Sequence, residues 1–468
     1  NKSVVVVEGR GRIGGRIQPV DFHGSRVDLG AQFVHGASKG NPLVRLLKEA
    51  GAGASPCKIH KVDWDGGYFY AGSGAAREVP ENKLDQCYKL AEKAVSIAHN
   101  KRGQIYNAKT READLSLGEE LKKAIAKMNK KHKKGFDVKL VTLCASSEIG
   151  DDYAVDFEEL SLCYWDQDDE YNGGDGIVKQ KGFEPLLSYL SNGLNILLDQ
   201  VVTSIARVGS GGEDRHVRVS CNGGTSHFCG RQIICTLPLG VLNSGTVSFE
   251  PALPAPLVES ISSLGYGNME KVVMKFKQRF WPNDSDCFYN MSGNPFRIWL
   301  DVGYAYEQED NATLMCLVCG SYAKSLMSTG SDKDILLLAM ASLREIFGAG
   351  VVPKDEARTL AMVDSHMITR WCTDPFALGS YSHIRQGALP SDYSALARRY
   401  WDGALHFAGE ATSRRFCATV HGAILSGERA AKSCLASNAG NTAKKSSGGK
   451  AKKVWGRKNN AEGSCLQS

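Results

Sequence analysis

The stretch that decides the fold is VVVVEGRGRIGGR, residues 4–16 of a 468-residue chain. The run of valines predicts a strand, and Glu8 stands where that strand ends. Glycines then allow the backbone to approach a ligand closely, while Arg12 and Arg16 supply positive charge for a phosphate. This order is typical of the second strand of a dinucleotide-binding α/β unit, whose terminal acid binds a ribose.

Such a unit ordinarily has a first strand and a G-x-G-x-x-G turn about 20 residues before that acid. Only seven residues precede Glu8 here, and no later segment reads as a transplanted copy. We therefore expect an α/β domain whose first βα unit is absent from this chain. Three explanations stay open: a clipped chain, a gene model or splice form without an early exon, or a relative that no longer binds its cofactor tightly.

The composition is that of a soluble protein with two or three domains, since 42% of residues are hydrophobic and 23% are charged. The net charge is +6, and residues 438–468 contribute all of it through six Lys and one Arg against one Glu. The remaining body is near neutral. This argues against a nucleic-acid groove in the folded part of the chain.

Fourteen cysteines are scattered along the chain, without a Cys/His cluster at zinc spacing. We expect no metal site, and free thiols in this number favour a reducing compartment, with the cytoplasm as the expected location. No run of eighteen apolar residues predicts a transmembrane helix, and no signal peptide is visible.

Local patterns predict the following elements. NPLVRLLKEAG, residues 41–51, has a capping Asn, a Pro at the first helical position and a terminal Gly, so it predicts a helix. Residues 56–80 predict short strands, 81–149 helices, 261–280 strand-like alternation, and 332–348 a long helix. The basic run 122–136 is interpreted as a solvated helix face.

A second constellation lies far along the chain, in HFAGEATSRRFCATVHGAILSG, residues 406–427. Glu410 falls in a glycine turn after a strand, and a helix is predicted to begin near residues 419–422. Free N–H groups at such a helix end favour an anionic or electron-rich group. An ordinary strand–loop–helix connection is the alternative.

Taken together, EGRGRIGGR, DLGAQFVHGASKGNP, TLPLGVLNSGTVSFEP, GYGNMEKVVMKF, RWCTDPFALGSYS and FAGEATSRRFCATVHGAILSG occur in one order along the chain. In this combination the chain resembles the flavin-dependent amine oxidase family, and most closely its polyamine oxidase branch. The resemblance extends from about Val4 to about Leu435.

The resemblance implies an α/β fold with two domains. A Rossmann-like FAD-binding domain would comprise residues 1–55, 182–262 and 365–436. A mixed-sheet substrate domain of the amine oxidase type would comprise residues 56–181 and 263–364. Residues 437–468 are expected to be a disordered basic tail.

FAD is the implied cofactor. Glu8 would bind the adenosine ribose, and Glu410 would lie near the ribityl chain and the pyrophosphate. The implied cofactor-binding residues are Glu8, Arg12, Gly15, Arg16, Gly30, Ala31, Val202, Thr236, Leu237, Trp371, Glu410, Thr419 and Val420.

Two residues are the implied catalytic groups. Lys271 resembles the lysine that holds a water against the flavin, and a desolvated lysine suits that task. The alternative is a solvent-facing strand lysine like Lys275, which shares its parity. His35 would meet the substrate nitrogen, although a packed loop histidine is the alternative. The implied substrate pocket consists of His35, Trp371, Tyr381 and Thr419.

The predicted activity is FAD-dependent oxidation of polyamines, spermine, spermidine or their acetylated forms, by O2 to an aldehyde, a shorter amine and hydrogen peroxide. The acidic run Asp166–Glu170 could draw in a polycation, or could be a solvated loop. A histone-lysine demethylase-like enzyme is the second hypothesis. A truncated, cofactor-free and non-catalytic homologue is the third.

The C-terminal sequence CLQS loosely fits a prenylation signal, and lysines lie upstream. Modified Cys465 would give weak membrane association. A plain disordered tail and a nuclear-targeting reading of KAKKVWGRK stay open as alternatives.

Overall fold

The computed structural model describes residues 3–51, 57–71, 77–106, 110–209, 216–308 and 311–446. Helices pack on the faces of several sheets, most of which combine strands from distant parts of the chain. Cys465 and the other residues of 447–468 lie outside the described residues, so the tail predictions stay predictions.

The strands are β1 Val5–Val7, β2 Pro19–Phe22, β3 Ser25–Asp28, β4 Phe33–Val34, β5 Ile59–Lys61, β6 Tyr68–Ala71, β7 Arg77–Glu78, β8 Gly176–Val178, β9 Asn195–Leu197, β10 Val202–Val208, β11 His216–Cys221, β12 Ser226–Gly230, β13 Ile233–Cys235, β14 Ser248–Glu250, β15 Gly265–Tyr266, β16 Met269–Phe276, β17 Cys287–Asn290, β18 Ile298–Asp301, β19 Thr313–Cys319, β20 Val363–Ile368, β21 Ser382–His383, β22 Arg399–Tyr400 and β23 Leu405–Phe407.

The helices are α1 Pro42–Ala50, α2 Glu81–His99, α3 Arg102–Tyr106, α4 Leu117–Lys131, α5 Val138–Ile149, α6 Glu184–Ser191, α7 Leu239–Ser244, α8 Ala255–Ser263, α9 Val302–Ala305, α10 Gly320–Thr329, α11 Asp332–Phe347, α12 Glu356–Leu360, α13 Pro390–Leu396 and α14 Val420–Ser446.

The valine run forms β1, as predicted, and β1 pairs in parallel with β9. A separate sheet contains β13, which pairs in parallel with β23, and the antiparallel strand β22. Within the described ranges, β1–β9 and β13–β23 belong to different sheets. Each predicted motif turn therefore follows a strand of a parallel pair. The first turn follows β1, and the turn that contains Glu410 follows β23.

The largest sheet has seven strands in the order β20-β16-β19-β18-β17-β6-β7. Both of its faces are covered, because alternate residues of β16 point to different cores. Val273 packs toward the core that contains α2, α4 and α5, while Val272 and Met274 pack toward the core of α10 and α11. Any polar side chain on β16 must therefore find partners inside the protein.

Most element predictions are confirmed. Helix α1 begins after Asn41, whose side chain accepts the Leu43 N–H, and Gly51 follows its end. Strands β5, β6 and β7 lie within residues 56–80, helices α2 to α5 within 81–149, and α11 spans Asp332–Phe347.

Three expectations need correction. Helix α8 extends to Ser263, where strand-like alternation was expected, because its apolar residues Leu257 and Ile261 have helical spacing and pack together in one core. Helix α14 continues to Ser446, into the segment expected to be disordered. The expectation that the chain has no C-x-x-C pair is also wrong, because Cys316 and Cys319 have this spacing. They lie three positions apart in strand β19, so their side chains point to opposite faces of the sheet.

Asn41 is wholly buried and ties helix α1 to the loop that carries His35. Its Nδ2 donates to the carbonyl oxygens of His35 at 2.8 Å and Gly36 at 3.1 Å, in addition to the cap. Replacing Asn41 with alanine removes all three bonds. We expect N41A to lower the free energy of unfolding by roughly 2 to 4 kcal/mol.

Urea unfolding followed by circular dichroism measures this difference. Asn192→Ala is the matched control, since Asn192 is exposed at the end of α6 and should change stability little. Equal unfolding midpoints for N41A and N192A would contradict the assigned role of Asn41.

Candidate active site

Lys271 lies at the centre of the candidate site, on β16. The residue is 3% exposed, and its amine donates to the Asp28 carbonyl oxygen at 2.7 Å, the Gly30 carbonyl oxygen at 2.8 Å and Gln32 Oε1 at 2.6 Å. Lys275 shares its strand face but bonds a carbonyl oxygen at the protein surface. The alternative that Lys271 faces solvent is therefore wrong.

The Asp28 side chain is also wholly buried, close to Lys271. Its Oδ2 accepts the Tyr306 hydroxyl at 3.1 Å, and its Oδ1 accepts the Phe183 N–H at 3.2 Å. Burial raises the pKa of Asp28 and lowers the pKa of Lys271, while the attraction between the two groups opposes both shifts. The site thus contains a buried acid and a buried base that are electrostatically linked.

The surroundings of this centre fit a bound cofactor. The Gln32 Nε2 amide is buried and has no acceptor among the described residues. Gly15 and Gly409 adopt φ values of 58° and 124°, and a Cβ atom at either position would meet nothing within 4 Å. A buried donor without an acceptor and two glycines with free space beside them fit a bound flavin cofactor. We call Gly15, Gln32 and Gly409, with the loops that carry them, the cofactor cradle.

Glu410 joins the two ends of the chain at this cradle. It is 5% exposed, and its carboxylate accepts Arg16 at 2.8 Å and the Ala418 N–H at 2.9 Å, as well as the Ser382 hydroxyl. Arg16 also donates to the Ser380 carbonyl oxygen at 2.7 Å. The Glu410 carboxylate is thus saturated by protein donors and orders the loops around it.

Gly30 and Ala31 lie against Arg16. The Ala31 N–H donates to the Arg16 carbonyl oxygen at 3.0 Å, and a Cβ atom on Gly30 would lie 1.8 Å from that same oxygen. Only glycine fits at position 30. The structure therefore brings five predicted residues into one cluster with continuous contacts: Arg16, Gly30, Ala31, Lys271 and Glu410.

The first motif turn is ordered by its own polar groups. Glu8 is half-buried, and its Oε1 accepts the Arg10 N–H at 2.8 Å. The Arg12 guanidinium donates to carbonyl oxygens and one side chain within residues 13–18, Gly15 among them. Arg12 thus holds the turn in shape, and its predicted cofactor contact stays a prediction.

Trp371 packs against the loop that binds the Lys271 amine. It is 7% exposed, and its indole N–H donates to the Leu29 carbonyl oxygen at 3.1 Å. The Arg10 guanidinium lies 5.7 Å from the centre of its ring and is held there by Asp374. Trp371 therefore fixes the loop whose carbonyl oxygens bind Lys271.

The predicted helix start near Thr419 is confirmed. The Thr419 hydroxyl oxygen accepts the Gly422 N–H at 2.9 Å and so caps α14, while Val420 is the first residue of that helix. Val202, Thr236 and Leu237 lie elsewhere, at the start of β10 and directly after β13. Hydrogen bonds between described residues do not join these last three to the Lys271 centre.

His35 forms a second polar centre with two residues from other segments. Its Nδ1 lies 2.9 Å from Asp175 Oδ1, and the Trp64 indole N–H donates to Asp175 Oδ2 at 3.2 Å. Beside a carboxylate, Nδ1 carries the proton, which leaves Nε2 free to accept one. The imidazole is half-exposed, so Nε2 can meet a ligand.

Carboxylates surround this histidine. We call His35, Asp152, Glu170 and Asp175 the acidic recess. Burial opposes charge on His35, but the three carboxylates together raise its pKa. Restricted solvation, then Asp151, Asp175 and Glu170, raise the pKa of Asp152 to about 7, against the opposing effect of His35. Once its three carboxylates are ionised, this cluster carries more negative than positive charge.

The acidic run 166–170 was expected either to attract a polycation or to be a solvated loop, and its residues differ in this respect. Asp166 pairs with Arg102 at 2.8 Å, and Asp169 pairs with Arg415. These two carboxylates are neutralised at the surface, whereas Glu170 acts on His35. Only part of the run contributes to the recess.

Tyr381 lies near strand β16 on the side of Met269. Its hydroxyl lies 4.0 Å from the sulfur of Met269, two residues before Lys271 on β16. Burial raises its pKa well above the ordinary value, and Cys319 and Asp152 add to the effect. Its place in the substrate pocket stays a prediction.

Sequence reasoning missed several polar residues of the site. Asp28 and Gln32 fall inside the quoted motif DLGAQF, where a polar residue beside buried apolar ones is a usable signal. Asp175 follows a glycine pair directly before β8, which is a weaker signal. Tyr306 stands in an irregular segment, and no local pattern marks it.

No cluster of three or more His, Cys, Asp or Glu side chains that could hold a metal ion occurs in the described part of the chain. Within the same ranges, no helix has the length and apolar character needed to cross a bilayer.

An α/β fold with an open glycine cradle beside a buried lysine defines a flavin-dependent oxidoreductase that acts on amines. The sequence profile of the family described as flavin containing amine oxidoreductase matches residues 1–435. The chain belongs to this family, and FAD is its cofactor. The resemblance inferred from the motifs is confirmed.

Named relatives fall into two groups. The chain is 34% identical over 92% of its length to "Lysine-specific histone demethylase 1 homolog 3" of Oryza sativa subsp. indica, and covers 50% of that protein. It is 29% identical over 92% of its length to "Polyamine oxidase 4" of Oryza sativa subsp. japonica, and covers 83% of it. The chain spans about half the length of this demethylase homologue and of "Protein FLOWERING LOCUS D" of Arabidopsis thaliana, to which it is 32% identical over 92% of its length.

Among solved structures, a redesigned putrescine oxidase matches with a TM-score of 0.67 at 17% identity, over 93% of each chain. This likeness confirms the amine oxidase fold that we expected from the sequence.

The buried state of Lys271 predicts a pH-dependent stability. Burial lowers its pKa from 10.5 to about 7, so the unfolded chain holds one more proton between those values. Stability should therefore rise with pH across this window. The Lys271→Met variant lacks this contribution. The difference between the wild-type and K271M free energies of unfolding should therefore change in favour of the wild type by up to about 1.4 kcal/mol per pH unit.

Urea unfolding of both proteins at pH 7, 8 and 9 measures the difference. Lys275→Met, which removes a lysine from the same face of β16, should keep the wild-type slope. Parallel stability curves for wild type and K271M would show that Lys271 is not desolvated.

Proposed function

We propose that this chain oxidises polyamines such as spermine, spermidine or their acetylated forms. A secondary amine, O2 and water would give an aldehyde, a shorter amine and hydrogen peroxide, which balances atoms and electrons. The observation that carries the proposal is the buried Lys271 amine held by three oxygens, together with the His35–Asp175 pair that faces solvent. Bound FAD would supply the two-electron acceptor and react with O2.

The recess supports a cationic substrate. Three carboxylates face one histidine, so a chain with several ammonium groups would be bound and oriented there. Burial and hydrogen bonding set the residues behind it in place, so binding requires little rearrangement of the protein. The substrate domain proposed for residues 56–181 and 263–364 contributes Asp152, Glu170 and Asp175.

His35 suits the removal of a proton from the substrate. An ammonium nitrogen cannot give up electrons to an acceptor, so the reacting amine must be neutral. Asp175 holds the His35 Nδ1–H, and Nε2 would accept the proton of the bound ammonium. Lys271 would lie next to the cofactor with its amine fixed by three protein oxygens, and Glu8, Arg12 and the Gly15 turn would hold the cofactor's ribose and phosphates.

Visible absorption of the purified 468-residue chain tests the proposal. FAD is added first, and spermine follows without oxygen. A flavin band that bleaches with spermine supports polyamine oxidation. Failure to retain FAD after titration would favour the third hypothesis, a cofactor-free homologue.

Lysine demethylation is the second candidate, favoured by the demethylase homologues at 34% identity. The same chemistry on an N-methyl group would give formaldehyde, the unmethylated amine and hydrogen peroxide. A dimethyl-lysine histone peptide and spermine are offered to the FAD-loaded chain in parallel. Formaldehyde release without spermine oxidation would replace the first proposal with the second.

The Asp175→Asn variant should shift the pH dependence of spermine oxidation. Asp175 raises the pKa of His35, so its loss lowers that pKa and moves the acidic limb of kcat/KM to lower pH. The rate at the optimum should also fall, since His35 loses its orientation. Asp169→Asn, which removes a carboxylate paired with Arg415, is the control. An unmoved acidic limb in D175N would exclude His35 as the base.

The Asp152→Asn variant should weaken binding of the polycation. We expect KM for spermine to rise about fivefold, equivalent to ~1 kcal/mol, with kcat little changed. The effect should decrease in high salt. Asp166→Asn provides the charge-matched control outside the recess. Equal KM values for D152N and D166N would argue against substrate binding in the recess.

A further inference from the structure

The environment of Lys271 poses a question of proton count. A lysine ammonium has three N–H donors, and three oxygens lie 2.6 to 2.8 Å from this nitrogen. A neutral amine has only two donors and a lone pair, so one of those oxygens would lose its donor. The geometry therefore matches the protonated lysine, the form that the folded protein holds below a pKa of about 7, although burial disfavours a charge there.

The compensating charge comes from Asp28. It is the only charged group whose attraction acts on Lys271 among the described residues. The main-chain carbonyl oxygen of Asp28 is one of the three acceptors of the Lys271 amine. The Asp28 carboxylate acts on Lys271 in addition to these acceptors. Asp28 thus serves Lys271 twice, with a carbonyl oxygen and with a negative charge.

Tyr306 holds that carboxylate in its charged form. It arrives from the segment after α9, far from Asp28 in sequence, and its ring is wholly buried. Its hydroxyl donates to Asp28 Oδ2 at 3.1 Å, while the Phe183 N–H donates to Oδ1. Lys271, Tyr306 and Arg26 are the titratable groups that face Asp28.

We propose that Asp28 and Tyr306 are positioning residues for Lys271, which fix the carbonyl oxygens beneath its amine and keep that amine protonated. Loss of the charge would free a lone pair on the nitrogen, which could then accept a hydrogen bond from a water, and would leave one of the three oxygens without a donor. The protonation state of Lys271 would then set its action beside the cofactor. The catalytic part of this inference rests on the proposed amine oxidation.

The direct test follows the Lys271 amine in the whole chain by NMR of 13Cε-labelled lysine. Its signal is assigned by its loss in Lys271→Met. In Asp28→Asn, which keeps the shape and the hydrogen-bond acceptor, the Lys271 pKa should fall by about 1 to 3 pH units. In Tyr306→Phe it should fall by about one unit, because the ionised carboxylate loses a donor.

Tyr304→Phe is the matched control. It removes a hydroxyl from the same segment, where that hydroxyl makes no hydrogen bond to described residues and the side chain is partly exposed. Lys271 should titrate as in the wild type. Identical Lys271 titrations in D28N, Y306F, Y304F and the wild type would overturn the proposal. Circular dichroism melts identify any variant that fails to fold.

A second readout uses the FAD-loaded chain and spermine. Y306F should shift the pH midpoint of kcat downward while KM stays at the wild-type value, which a merely structural role would not produce. A wild-type pH midpoint in both Y306F and D28N would overturn the catalytic part. If even the wild type oxidises no amine, the proposed function fails, and the NMR titration still decides the role of Asp28 and Tyr306.

Discussion

The arrangement of this molecule depends on the need to accommodate an amine inside a sheet that is covered on both faces. Because β16 has no solvent-facing side, Lys271 must be met by protein acceptors, and the segment 28–32 supplies them. That requirement brings the first motif region against the large sheet. It also leaves the buried amide donor Gln32 Nε2 without an acceptor among the described residues. The cofactor cradle is thus a by-product of satisfying one buried amine.

A second buried group performs the same task at the other side of the cradle. Glu410 accepts donors from Arg16, Ser382 and Ala418, so three separate chain segments converge on one carboxylate. Both Glu410 and Arg12 spend most of their hydrogen bonds on protein groups, whereas Gln32 Nε2 has no acceptor among the described residues. Conserved-looking motif charges can therefore act by building a site rather than by touching its ligand. The chemistry is left to the few groups whose hydrogen-bonding capacity is not used by the protein, such as His35 Nε2.

What could be predicted from sequence was local. Strand ends at Glu8 and before Glu410, the cap at Asn41 and the helix start at Thr419 all follow from patterns of a few residues, and the structure confirms them. Partner choice was not predictable. His35 meets Asp175 across 140 residues, and Asp28 meets Tyr306 across 278, so only the folded sheet order brings them together. Strand parity could not separate Lys271 from Lys275, because the difference lies in how deeply each end of β16 is covered.

The ion pair between Arg16 and Glu410 closes a loop of 394 residues. At a synthesis rate of roughly 5 to 20 residues per second, Glu410 leaves the ribosome some 20 to 80 seconds after Arg16. During that interval β1 and the first turn have no partner at the far end of the chain. Biosynthesis of this protein thus includes a long interval in which Arg16 has no carboxylate partner, and the ion pair that closes the first turn against the C-terminal motif can form only near the end of synthesis.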